Sequence, residues 1–194
     1  DNPFVDPVCG SGTIPIEAAL YGHNIAPGIN RSFISEQWVN LVPDGLSDEV
    51  RDEADSLANY DIELDIHGYD IDQNMIDIAQ ENSRAAGLTH DITFKQLAVK
   101  DWQTSEVNGV IVANPPYGER LSDKESVHEL YRQMGELYRP LTTWSKYILT
   151  ADMEFEKYYG APATKRRKLY NGALRTDLYQ YWGKKDRSKI KTLK

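Results

Sequence analysis

The strongest constraint on the fold is a repeated alternation of short apolar runs with amphipathic helical patterns. "PFVDP" (3–7) precedes the helical "GTIPIEAALYG" (12–22), and "ELDIHGYDID" (63–72) precedes "DQNMIDIAQENSRAAGL" (72–88). "DITFKQLAV" (91–99) and "VNGVIVANPP" (107–116) follow, then the helical "DKESVHELYRQMGELYRPL" (123–141) and "KYILTA" (146–151). Strands separated by helices in this rhythm define an α/β domain with a mostly parallel sheet. The run at 107–116 is apolar enough to lie centrally in that sheet. Asp72 is the expected N-cap of the second helix and Gly87 its stop signal. Val127, Leu130, Met134, Leu137 and Tyr138 form one face of the helix at 123–141, a spacing that predicts core packing. "KRRKLYNGALRTDLYQYWG" (165–183) predicts two final strands joined at Asn-Gly-Ala. Residues 23–63 lengthen the first crossover and contain a second helical pattern, "SDEVRDEADSLAN" (47–59).

Charge narrows the partners. The chain carries net charge −8, divided as −18 over residues 1–156 and +10 over 157–194. The basic end, with "KRRK" at 165–168, permits contact with a phosphate backbone or forms a solvated face. No apolar run approaches the ~20 residues that span a bilayer, so no membrane partner is expected. The single cysteine, Cys9, excludes an internal disulfide framework and fits a reducing cytoplasm; it is expected to be a small packing residue. His23, His67, His90 and His128 lack metal-ligand spacing; no metal is expected, and none of the four is given a role. Trp102, Trp144 and Trp182 are expected to pack. The opening "DNPFVDPVCG" reads as a strand already under way, so an excised domain is expected.

Three motifs carry chemistry. In "VDPVCGSGT" (5–13) a strand enters a Gly-Ser-Gly turn before a helix. Gly10 and Gly12 permit the turn and let a ligand approach the backbone, and the helix start offers unpaired N–H groups. No Gly-Lys-Ser/Thr follows, so nucleotide hydrolysis is poorly supported. The turn alone is equally compatible with a structural role. In "GYDID" (68–72), Asp70 ends the second strand, where a carboxylate can accept both ribose hydroxyls or simply face solvent. In "NPPYGER" (114–120) two prolines stiffen the turn after the fourth strand. Asn114 and Pro115 offer carbonyls able to accept two hydrogens from one amine, and Tyr117 offers a flat face for a base.

Together "VDPVCGSGT", "APGINRSF" (26–33), "GYDID" and "NPPYGER" resemble the RNA methylase family of class I S-adenosylmethionine-dependent methyltransferases. Its members often carry an upstream THUMP RNA-binding domain. They include large-subunit rRNA guanine-N2 enzymes, and many have been labelled N6-adenine-specific DNA methylases. The resemblance implies a Rossmann-like, mostly parallel seven-stranded sheet with a C-terminal antiparallel hairpin and helices on both faces. It implies one catalytic domain over 1–194 and S-adenosylmethionine as cofactor. Asp6, Pro7, Gly10, Ser11, Gly12 and Thr13 would surround its methionine end, Asp70 its ribose and Ile71 its adenine. Many relatives place an acidic residue where this chain has Ala98; Asp101 or the backbone would substitute. Asn114, Pro115, Pro116 and Tyr117 would hold the target base. Glu119 and Arg120 could touch the nucleotide or brace the loop through an ion pair. RNA is the expected partner and DNA the alternative; Asn-Pro-Pro-Tyr does not separate guanine N2 from adenine N6.

Overall fold

The computed structural model of the chain describes residues 2–38, 40–117 and 121–186. Seven strands form one sheet: β1 Phe4–Asp6, β2 Ile66–Asp70, β3 Ile92–Gln96, β4 Val110–Ala113, β5 Ser145–Thr150, β6 Lys165–Asn171 and β7 Leu174–Tyr181. Their spatial order is β3-β2-β1-β4-β5-β7-β6. β1 to β5 are parallel, and β7 runs antiparallel between β5 and β6. The chain therefore starts at the sheet's centre, builds outward to β3, and crosses back to β4. That reversal leaves a crevice at the carboxyl ends of β1 and β4, the topological switch point where α/β folds hold ligands.

Register decides which side chains share a face. Phe4 pairs with Ile66 and Ile66 with Ile92, and this face carries the apolar cluster built with Ala19 and Leu88. Val5 pairs with Ile111, and its face carries the larger cluster with Trp102, Trp144, Tyr131 and Phe155. Both faces are thus apolar, which explains the short, nearly continuous apolar strands. Trp102 meets Trp144 edge-on at 5.6 Å, and Trp144 Nε1 donates to the Glu106 carbonyl at 2.8 Å. Both indoles are buried as expected; Trp182 is instead 55% exposed, on the chain's exit from the outer hairpin.

Five helices join the strands: α1 Thr13–Gly22, α2 Leu46–Ser56, α3 Gln73–Ala85, α4 Leu121–Tyr138 and α5 Phe155–Tyr159. The Asp72 side chain caps α3 by accepting from Asn74 N–H at 2.9 Å, and Gly87 follows with φ +79°. Residues 23–63 pack lightly: α2 buries no residue. Buried His23 closes this insert, bonding Asn59 through both backbone and Nδ1 and meeting Asp91 through Nε2 at 2.8 Å. α5 has no counterpart in the sequence reading, because "FEKYY" is too short to show a period. Among the described residues no helix is long and apolar enough to cross a membrane.

Candidate active site

The loop after β1 is built to leave backbone uncovered. Gly10 has φ +52°, and a Cβ placed there would meet nothing within 4 Å. Its N–H donates to Asp70 Oδ2 at 3.0 Å, while Asp72 N–H donates to Oδ1 at 2.9 Å. The Asp70 carboxylate is thereby aimed along the edge of the sheet with acceptor capacity to spare. Gly12 answers a different need: at φ +85°, a Cβ would lie 2.9 Å from that of Ala79 and 3.0 Å from the Phe94 ring. It lets the loop press against α3, where Asn82 donates to the Ser11 carbonyl at 2.9 Å. Ser11 and Thr13 are exposed beside one another, their hydroxyls 3.5 Å apart.

Asp6 lies beneath this loop, 1% exposed, and accepts from Val8 N–H at 3.1 Å. Burial pushes its carboxyl up to about 7; the Val8 bond opposes the shift and Asp70 adds to it. The folded value lies above the unfolded one, so between the two the folded state holds a proton the unfolded chain has lost. Stability contributed here therefore falls as pH rises from about 4 to about 7. Asp6→Asn should gain on the wild type across that window by on the order of 4 kcal/mol. Urea unfolding of both proteins at several pH values checks this; a pH-independent difference would contradict it. Cys9 is buried, and its thiol is pushed up to about 12, first by burial and then by Asp6 and Asp70, so it is no nucleophile at neutral pH.

Beside Gly10 and Asp70 lies a cavity of about 690 Å³. Its walls bring together Pro7, Val8, Gly10, Asp70, Ile71 and Pro116 with Leu97–Lys100 and, from α4, Val127 and Leu130. Two features fit an adenosyl group: a carboxylate at the end of β2 for a diol, and apolar walls at Ile71, Leu97 and Val127 for a flat ring. The open backbone at Gly10 would accommodate the remainder. Asp6, Ser11, Gly12 and Thr13 adjoin this wall without lining it, and Asp101, exposed on the turn after Ala98, does not line it either. The helix face carrying Val127 and Leu130, expected only to pack, also forms cavity wall. The sequence held one signal for this: the face lies on the first helix after the Asn-Pro-Pro-Tyr turn.

That turn separates two spaces. Pro116 lines the first cavity; Tyr117 lines a second, of about 360 Å³, with Lys124, His128, Asp152, Met153, Glu154 and Leu174. Tyr117 donates to Asn114 Oδ1 at 2.5 Å, and burial raises the Tyr117 pKa, so the hydroxyl stays a neutral donor. Pro115 is buried, while Asn114 and Pro116 are exposed. Buried Tyr131 reaches from α4 to the Pro116 carbonyl at 3.3 Å and to Thr150 Oγ1 at 2.9 Å. Glu119 and Arg120 lie outside the described residues. His128, left without a role by the sequence, meets Asp152 at 2.8 Å and stacks on Tyr158 at 3.6 Å. His128, Asp152 and Glu154 bring ligand-type atoms within 4.8 Å of one another. Glu154 is paired with Lys157 at 2.9 Å, so the group reads as a hydrogen-bonded ion network.

A Rossmann-like sheet with a glycine loop, an acidic second-strand end and an Asn-Pro-Pro-Tyr turn defines a class of methyltransferase domains. Residues 1–180 match the model of the RMKL-like methyltransferase domain, and the chain belongs to that family. It is 55% identical over 184 residues to "Putative RNA methyltransferase YpsC" of Bacillus subtilis, covering 95% of this chain and 48% of the relative. It is 38% identical over 181 residues to "Ribosomal RNA large subunit methyltransferase K/L" of Shewanella amazonensis, covering 90% of this chain and 25% of that protein. Among solved structures it resembles SMU.472, described as "a putative methyltransferase complexed with SAH", with TM-score 0.91 and 53% identity over 96% of this chain and 49% of that one. The chain thus spans about half the length of YpsC and a quarter of the K/L enzyme.

Proposed function

We propose that this chain is the catalytic domain of an RNA methyltransferase that moves a methyl group from S-adenosylmethionine to an exocyclic base amine, guanine N2 in large-subunit rRNA. One observation carries the reading: the Asn114–Tyr117 turn stands between two cavities, with Pro116 on one and Tyr117 on the other. A transfer enzyme needs its donor and acceptor sites to meet at one wall. The names of the K/L relatives and the complex of SMU.472 with SAH support the substrate and the cofactor. In the larger cavity Asp70 would take the ribose, and Ile71 with Leu97 the adenine.

The cofactor, when bound, supplies a methyl on a positively charged sulfur, an excellent leaving group. The base amine is a poor nucleophile, because its lone pair is delocalised into the ring. Asn114 Oδ1 and the Pro115 carbonyl accept its two hydrogens, which favours a pyramidal nitrogen with its lone pair exposed. The amine displaces the Tyr117 hydroxyl from Asn114, and the ring of Tyr117 is then free to stack on the flipped base. Held by Asn114 and Pro115, the amine would take the methyl that the bound cofactor supplies, leaving S-adenosylhomocysteine, and its surplus proton would pass to water. Positioning and electrostatics do the work, and no strong base is needed.

Labelled methyl transfer by the full-length protein to large-subunit rRNA, against duplex DNA, tests the reading. Incorporation into RNA is expected; incorporation only into DNA would reverse it. The basic outer hairpin would hold the RNA backbone. Arg166 and Arg175 are committed to Asp177, at 2.7 and 3.2 Å, which leaves Lys165, Arg167 and Lys168 as the phosphate contacts on edge strand β6. Reversing those three charges should flatten the salt dependence of RNA binding by about 2 in log–log slope. An unchanged slope in a filter-binding titration would remove the hairpin from the interface.

A further inference from the structure

Asparagine and proline carbonyls accept an amine without recording which base carries it. The position next to the amine does distinguish them. Guanine presents an N1–H donor beside N2, whereas adenine presents a bare N1 acceptor beside N6. A group that only accepts hydrogen bonds, set next to the clamp, would therefore select guanine and repel adenine.

We infer that Asp152, oriented by His128, is that acceptor and sets the base specificity of the proposed reaction. The inference rests on the reading of the chain as an exocyclic-amine methyltransferase. Asp152 is the second residue after β5 and lines the 360 Å³ cavity that Tyr117 shares. A buried chain of hydrogen bonds ties it to the clamp. Asp152 N–H donates to Thr150 Oγ1 at 3.0 Å; Thr150 meets the Tyr131 hydroxyl at 2.9 Å, and Tyr131 donates to the Pro116 carbonyl at 3.3 Å. Thr150 and Tyr131 are both fully buried, so clamp and carboxylate are held by one rigid relay.

The carboxylate itself is aimed. Its Oδ1 accepts from Glu154 N–H at 2.8 Å, and its Oδ2 faces His128 Nε2 at 2.8 Å. Opposite a carboxylate the proton belongs on Nε2, so His128 donates. The ring is fixed by its stack on Tyr158 at 3.6 Å. Each carboxylate oxygen keeps one lone-pair site for a ligand. His128 is thus a positioning residue, and Asp152 would touch the base.

The test uses the full-length protein, unmodified large-subunit rRNA and nucleoside analysis of the product. Wild type should yield N2-methylguanosine. Asp152→Asn should lower kcat/KM for guanine about 100-fold. Affinity for S-adenosylhomocysteine and the melting temperature should hold. A second arm needs no variant. In an RNA fragment carrying the methylated guanosine, 2-aminopurine at that position keeps the amine but makes N1 an acceptor. Wild type should methylate it about 100-fold less well, and Asp152→Asn should lose that preference. Equal use of guanine and 2-aminopurine by wild type overturns the inference, as does N6-methyladenosine as its product; the methyltransferase reading survives both. No methyl transfer to RNA at all overturns the proposed function and this inference with it.

Discussion

Asn114→Ala is expected to lower kcat about a thousandfold while leaving affinity for S-adenosylmethionine within about twofold. The asymmetry follows from position. Asn114 is the first residue after β4, and its carbonyl already holds, at 2.5 Å, the hydroxyl of Tyr117, which lines the second cavity. The larger cavity, proposed to hold the cofactor, is lined by Pro116 but not by Asn114, so truncation would remove nothing from that wall. It would remove one of the two proposed acceptors for the amine, whose loss would matter most as the nitrogen becomes pyramidal and its hydrogens more positive. Such an interaction strengthens in the transition state and acts on kcat. Single-turnover transfer of labelled methyl measures the first quantity and calorimetry the second. A variant within fivefold of wild-type kcat would sink the clamp mechanism.

Gly135→Ala is expected to lower stability by about 3 kcal/mol or more, or to prevent folding. A Cβ there would sit 2.0 Å from the Tyr159 carbonyl oxygen, a main-chain atom that cannot swing aside. Arg139 locks the same junction, donating to the carbonyls of Gly135 at 2.9 Å and Gly160 at 3.1 Å. α4 therefore lies against α5 only because Gly135 has no side chain. The consequence reaches the site, since α4 also carries Val127 and Leu130 to the larger cavity, His128 to the smaller one and Tyr131 to the Pro116 carbonyl. Thermal unfolding should show a melting temperature lower by about 6–12 °C. A shift below 2 °C would mean that α5 is not held where the structure puts it.

These two effects differ in how visible they were beforehand. The four residues at 114–117 announce a chemistry because their geometry is local: a strand end, two fixed φ angles, two carbonyls and a ring. Gly135 announces nothing, since a glycine inside a helix looks like a mild defect until α5 is placed against it. α5 itself was missed, being five residues long. The first five strands were legible as short apolar or alternating runs bounded by turn residues, and β6 and β7 through the Asn-Gly-Ala turn that joins them. The double role of α4 was not, because a spacing of three and four marks a face without naming what it meets.

The sequence by itself determined the βα rhythm, the glycine turn at 10–12, the acidic end of β2 and the stiff Asn-Pro-Pro-Tyr turn after β4. All are short-range properties of backbone freedom and donor inventory. Only the tertiary structure decided that Pro116 and Tyr117 line different cavities, and that Asp152 and His128, 24 residues apart, meet in the cavity that Tyr117 lines. Those outcomes depend on strand register and on α4 packing across β5. Many weak contacts between distant residues set both, and no single stretch of the chain encodes them.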